Sequence, residues 1–216
     1  MTDTDEESLA LALPFLSKET FAAAIAGLVA QLDAYAADLR YSIKHSPFDP
    51  SDIYLELTRS TPLAVSPTPT PAIDEISAPP DEDDPESLAS EYASTPQLTV
   101  HYYIILSPIY SLPTLYFTTT PPIALPSLYD LLVPPDQRAA VAAVGVQGAI
   151  SQTEHPYLQR TCWFVHPCRT ADAMAPWVAK DEDGEGGGRV GVEGYLGVWL
   201  GIVGRAVGLT VPLRRV

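Results

Sequence analysis

The chain has 216 residues, is 46% hydrophobic and carries 22 prolines with a formal charge of −15, a composition that describes a folded core with loose acidic additions. Sixteen of its 27 acidic residues fall in three tracts without Lys or Arg, from Asp3 to Glu7, Asp74 to Glu91 and Asp181 to Glu185, leaving 11 acids against 12 bases elsewhere. No basic stripe is present to displace phosphate counterions, which excludes a nucleic-acid binder, and the length fits one domain with an insertion.

The acidic start lacks the positive charge and apolar stretch of a secretory signal. A reducing, cytoplasmic setting is therefore expected, with Cys162 and Cys168 as free thiols. Ser17 can cap a helix from about Lys18 to Leu39, with Glu19 in its first turn and Leu16 placed to staple onto Phe21. Phe21, Ile25, Leu28, Leu32, Tyr35 and Leu39 recur at helical spacing and predict one docked face. Asp52 to Thr58 alternates polar and apolar residues and predicts a strand. Residues 61–96 are rich in Pro, Ser, Thr and acid, too poor in apolar surface to offset ordering entropy, and predict a disordered insertion.

Strand texture returns at Leu98 to Leu106 and Thr114 to Thr120, a hairpin joined through Ser107 to Pro113. Ser127 to Leu132 predicts a short capped helical turn, and Asp136 to Val146 an alanine-rich helix. Arg160 to Val165 predicts a fourth strand, with Cys162, Phe164 and His166 on one side and Trp163 and Val165 on the other. Glu182 to Gly188 predicts a flexible acidic loop. Leu196, Trp199, Leu200, Val203 and Val207 then form an apolar face, with Gly197, Gly201, Gly204 and Gly208 offering close contacts. The apolar run between Glu193 and Arg205 is shorter than the roughly 20 residues a bilayer needs, so a buried packing helix is expected rather than a membrane span.

No Gly-rich loop joins a strand to a helix in the manner of a nucleotide site. Two Cys and four His lack the spacing of a metal site, and neither metal nor organic cofactor is expected. Cys168 remains. Pro167 holds His166 extended and ends the strand, so the thiol is delivered at an edge or turn. Attack by a thiol needs its thiolate, which nearby positive charge favours, and Arg169 and His166 are the local candidates. The alternative for any cysteine is a small buried hydrophobe; Cys162, flanked by Trp163 and Phe164, fits that description. His166 and His155 are each open to a purely structural role.

Ser151 to Pro156 (SQTEHP), Trp163 to Thr170 (WFVHPCRT), Ser107 to Phe117 (SPIYSLPTLYF), Trp199 to Gly204 (WLGIVG) and Val207 to Pro212 (VGLTVP) together resemble the autophagy-related protein 10 family. The resemblance implies an α+β, ubiquitin-conjugating-enzyme-like fold: a central four-stranded antiparallel sheet flanked by helices, forming one domain over residues 1–216. It implies that Cys168 of the His-Pro-Cys motif accepts the ubiquitin-like autophagy-related protein 12 as a thioester from the activating enzyme, autophagy-related protein 7. A lysine of autophagy-related protein 5 would then receive the modifier, without metal or cofactor, at a cytoplasmic site recruited peripherally to the place of autophagosome assembly. Activation of that lysine and stabilisation of the oxyanion need further groups; His166, His155, His101, Tyr102 and Tyr110 are the candidates, with cross-strand packing the alternative for the tyrosines.

The hairpin Leu98 to Thr120 is the candidate surface for the acceptor, by strand addition. The insertion, the loop 181–188 and Thr118, where a basic residue is expected, depart from the family pattern. Two other classes stay open: a cysteine hydrolase using Cys168 with His155 or His166, and a non-catalytic interaction module.

Overall fold

The computed structural model describes residues 12–35, 39–62, 97–133, 135–136, 138–139, 150–178, 190–209 and 211. The first helix among the described residues is α1 (Lys18–Tyr35). Its start is boxed by reciprocal bonds: Thr20 N–H donates to Ser17 Oγ at 3.2 Å and Ser17 N–H donates to Thr20 Oγ1 at 2.8 Å. The expected face is the docked one, with Leu16, Phe21, Ile25, Leu28 and Leu32 all buried. Leu39 is buried as well, but it lies just before strand β1 (Arg40–His45) rather than in a helix.

Strands β2 (Ile53–Pro62), β3 (Gln97–Ser107), β4 (Leu112–Thr120), β5 (Ile150–Glu154) and β6 (Thr161–Val165) join β1 in one antiparallel sheet of order β1-β2-β3-β4-β6-β5. The α+β class is as expected, with six strands in place of four. The two that the sequence did not announce are the outer ones. β1 has only Ser42 even partly buried, and β5 has only Ile150 fully buried, so neither carries the apolar alternation that marks a half-buried strand. Thr61 and Pro62, expected in the insertion, are the last residues of β2, opposite Leu98 and Gln97; residues 63–96 lie outside the described residues.

Sheet order narrows where a partner strand could add to the hairpin expected to meet the acceptor. β3 is paired with β2 on one side and β4 on the other, while β4 is paired with β3 and, over Leu115–Phe117, with β6. The middle of the hairpin is therefore closed to strand addition, while residues 112–114 and 118–120 of β4 pair on the β6 side with no strand among the described residues and keep the free edge that an added strand needs.

Helix α2 (Leu125–Leu132) begins two residues before the expected turn. The expected Asp136 to Val146 helix lies mostly outside the described residues, as does the acidic loop. After β6 come a short 3-10 turn (Pro167–Arg169), helix α3 (Thr170–Val178), helix α4 (Val192–Val203) and a second 3-10 turn (Gly204–Val207). Gly208 closes this last turn at φ 70°, a left-handed conformation that glycine adopts without steric cost.

The two faces of the sheet differ. One is covered by α1 and α4, around Leu55, Leu57, Tyr102, Ile104, Leu115, Phe117, Leu196, Trp199 and Leu200; each such burial contributes on the order of 2 kcal/mol. The helices cross closely because Gly27 has no Cβ, which would collide with the Glu193 carbonyl oxygen. Among the described residues no helix is long and apolar enough to cross a membrane. The other face carries a smaller cluster of Tyr54, Tyr103 and Ile105, packed by Tyr116 and by Tyr157 from the β5–β6 loop.

Candidate active site

β6 runs between β4 and β5 and ends at Val165. His166 stays extended at φ −65° and ψ 127°, the conformation a following proline favours. Pro167 then takes the first position of the 3-10 turn, where its missing N–H costs nothing. His166 caps this turn: its Nδ1 accepts the Cys168 N–H at 3.1 Å. Thr170 N–H donates to the Pro167 carbonyl, so the turn leads directly into α3. Pro167 is buried and anchors the segment, while Cys168 is a free, exposed thiol one residue further on.

The turn between β3 and β4 forms one wall of this place. It is closed by Ser111 N–H donating to the Ser107 carbonyl at 2.9 Å, and Leu16 N–H donates to the Ser111 carbonyl at 2.8 Å. Tyr110 lies in that turn and meets the His166 ring edge-on at 6.3 Å. Phe164, stacked on Tyr116 at 5.9 Å, touches His166 from the strand side at 5.9 Å. The alternation expected along β6 therefore holds: Phe164 and His166 meet on one side, while Trp163 and Val165 pack toward the main core.

Cys162 differs on each count. It is buried in mid-strand, and burial pushes its thiol up to about 11. Few thiolates form under that condition at neutral pH, which matches the packing role expected of it.

Of the supporting residues, the structure brings His166 to the backbone of Cys168 and Tyr110 to the ring of His166, and places the others elsewhere. Tyr102 points into the helix-covered core, because its position in the β3 alternation faces that side. Its hydroxyl donates to the Val207 carbonyl at 2.9 Å, and burial raises its phenol well above the usual range. It is a core residue, a correction of its expected place. His101 lies on the opposite face beside Thr58 and Glu56, with Nδ1 3.4 Å from Glu56 Oε1.

His155 is corrected too. It is 1% exposed inside a cage of Tyr54, Tyr103, Tyr116 and Tyr157. Its Nδ1 accepts the N–H groups of Tyr157 and Leu158, both at 3.1 Å. Burial and then the Arg160 charge bring it down to about 4, so the ring is neutral, with the proton on Nε2. Its own N–H donates to the Arg160 carbonyl, just before β6 begins, whereas Cys168 follows the other end of that five-residue strand, roughly 16 Å along at ~3.3 Å per residue. The rings of Tyr116 and Phe164 stand between. A hydrolase dyad needs a base within hydrogen-bond reach; His155 does not supply one, and the Nδ1 of His166 is engaged by backbone.

Two features escaped the sequence. Phe164, which joins Tyr116 to His166, looked like ordinary strand texture. Pro108-Ile109-Tyr110, three apolar or aromatic residues in a tight turn, was the available signal that the turn leaves large apolar side chains in solvent.

Residues 20–214 match the family described as "Autophagocytosis associated protein, active-site domain". Among curated proteins the chain is similar to the ubiquitin-like-conjugating enzyme ATG10 of Gibberella zeae, 31% identical over 138 residues, covering 61% of this chain and 54% of that protein. The protein of the same name from Arabidopsis thaliana is 30% identical over 121 residues, covering 53% and 52%. That from Homo sapiens is 34% identical over 70 residues, covering 32% and 29%. The chain thus spans about half the length of the first two relatives and under a third of the last.

Proposed function

This chain belongs to the autophagocytosis associated protein, active-site domain family, and on that premise we propose that it is a ubiquitin-like conjugating enzyme of autophagy with Cys168 as nucleophile. The modifier is autophagy-related protein 12, delivered by autophagy-related protein 7, and the acceptor is a lysine of autophagy-related protein 5. The observation that carries this is the placement of Cys168: a free thiol exposed on the first turn after β6, with its backbone held by His166.

The first step is an exchange of thioesters. The Cys168 thiolate attacks the carbonyl of the modifier's C-terminal residue on the activating enzyme, a new C–S bond forms, and the old one breaks to release the activating enzyme's thiolate. In the second step the lone pair of a neutral lysine Nζ attacks the Cys168 thioester. The tetrahedral oxyanion collapses, the C–S bond breaks, an isopeptide bond remains, and a proton from Nζ ends on the Cys168 thiolate or on solvent. His166 is a positioning residue in both steps, since it fixes the backbone that carries the sulfur. Tyr110 supports that positioning by packing its ring on His166.

An exposed thiol suits a protein substrate, whose bulky folded body stays outside while an extended tail reaches in. It suits a hydrolytic dyad less, given where His155 lies. The test is to incubate wild type and Cys168→Ser with the activating enzyme, modifier and ATP. Wild type is expected to give a thiol-labile adduct and Cys168→Ser a thiol-resistant ester. Adduct formation that survives Cys168→Ala and disappears in Cys162→Ala would place the chemistry on the wrong sulfur.

A further inference from the structure

We propose that the apolar groove beside the β3–β4 turn docks the acceptor protein, through a segment in which a bulky apolar side chain stands next to a basic residue. This deepens the function proposed above and rests on it. The groove encloses about 540 Å³ between the start of α1, the β1–β2 loop, the β3–β4 turn and the β5–β6 loop. Leu16, Phe21, Ile53, Ile105, Ile109 and Tyr157 are among the residues that line it. Ile109, one of the residues lining the groove, is 85% exposed. A large apolar side chain left in water at the lip of an apolar hollow marks a binding surface.

The charge at the lip selects the occupant. Lys18 is held by Asp49 at 3.1 Å and by Asp52 at 2.5 Å, two carboxylates around one ammonium. That cluster keeps a net negative charge. Asp49 is held down at about 2, first by the Ser51 hydroxyl and backbone N–H and then by Lys18, so its carboxylate persists at any physiological pH. A cationic residue is complementary to it. A second copy would have to bring an apolar, basic segment of its own into a mostly acidic molecule.

Continuity with the thiol favours the acceptor over other proteins. The β3–β4 turn faces the groove through Pro108 and Ile109, and its next residue, Tyr110, packs on His166, the cap of Cys168. A segment seated against Ile109 is therefore joined to the Cys168 backbone through Tyr110 and His166, and docking there would bring its lysine toward the thioester. The partner that must be at Cys168 when the isopeptide bond forms is the acceptor.

Ile109→Asp tests this without disturbing the core, since the side chain is already in solvent. Wild type and variant are charged with modifier, then discharged onto free lysine or onto autophagy-related protein 5. Charging and discharge to free lysine are expected within about twofold of wild type, while transfer at low acceptor concentration falls about thirtyfold, the loss of one anchor residue, and recovers at high concentration. Calorimetric titration of the uncharged protein with the acceptor should show the same loss of affinity. Unchanged transfer and affinity would overturn the groove as the docking site. Loss of charging instead would assign it to the activating enzyme, and a change in sedimentation between the two proteins would assign it to self-association; either result overturns the proposal. If wild type itself accepts no modifier, the conjugating function fails, and the titration alone still decides the groove.

Discussion

The molecule contains two His-Pro turns built alike and placed apart. In each, the imidazole Nδ1 accepts a backbone N–H from two residues ahead, Tyr157 for His155 and Cys168 for His166, and each bond is 3.1 Å long. The first turn folds back across the sheet, where four tyrosines enclose the ring. The second leaves the end of β6 and starts a helix, with Tyr110 and Phe164 beside its ring. The same dipeptide thus staples a loop in one place and presents a thiol in the other. The difference is set by where the strand releases the chain, not by the histidine.

Exchanging the two thiols should break the comparison most sharply. Cys168→Ala is expected to cut modifier transfer by about a thousandfold or more, as loss of a nucleophile does, with stability unchanged within ~0.5 kcal/mol at an exposed site. Cys162→Ala should do the reverse, losing about 1 kcal/mol through a small cavity while still accepting the modifier. Non-reducing gels and urea unfolding read the two effects separately. The histidines should divide in the same way. His155→Ala empties the tyrosine cage and strands the Tyr157 and Leu158 N–H groups, for a loss of about 3 kcal/mol in urea unfolding. Charging per folded molecule should stay at the wild-type level.

How much of this could be read beforehand follows from what each residue's neighbours are. The buried face of α1 and the alternation of β2, β3 and β4 were legible because each repeats an apolar signal over several turns or pleats. β1 and β5 were not, since an edge strand with exposed side chains has no such signal. Cys168 was legible because proline fixes the local backbone whatever the tertiary context. Tyr102 and His155 were misplaced for the opposite reason. Which side of a sheet a tyrosine faces, and whether a loop folds back over that side, depend on pairings between distant segments. Beside the local His166–Cys168 bond, the Tyr110–His166 contact joined two expected residues, and it required the β3–β4 turn and the end of β6 to meet.

Acid should separate the two turns as well. His155 sits near 4 in the folded protein against an ordinary value of 6.5, because burial and then Arg160 disfavour its charged form. Between those values the unfolded chain binds a proton that the folded one refuses, so stability rises with pH across this window. The contribution is fully present above about pH 6.5 and is lost as pH falls toward 4, up to about 3 kcal/mol in all. Protonation also removes the Nδ1 acceptor from two backbone N–H groups, which couples the charge to the loop. His155→Asn keeps an acceptor oxygen without titrating, so urea midpoints measured from pH 4 to 7 should flatten in that variant. An equally steep loss in His155→Asn would assign the acid response to other groups.

The smallest effect belongs to His166, and it is the one that isolates positioning from stability. The ring caps a three-residue turn at a half-buried site, so His166→Ala should cost about 1 kcal/mol or less. Its larger consequence is on Cys168, whose backbone N–H loses the acceptor that holds it. Charging is expected to slow several-fold while the amount of folded protein barely changes. Asn is among the best capping residues because its side-chain oxygen reaches the N–H two residues on, so His166→Asn should recover both stability and charging. An imidazole that acted by exchanging protons with substrate would not be replaced by an amide, and in that case Asn would restore stability alone. The split between the two readouts therefore decides whether this turn differs from that of His155 in chemistry or only in what it holds.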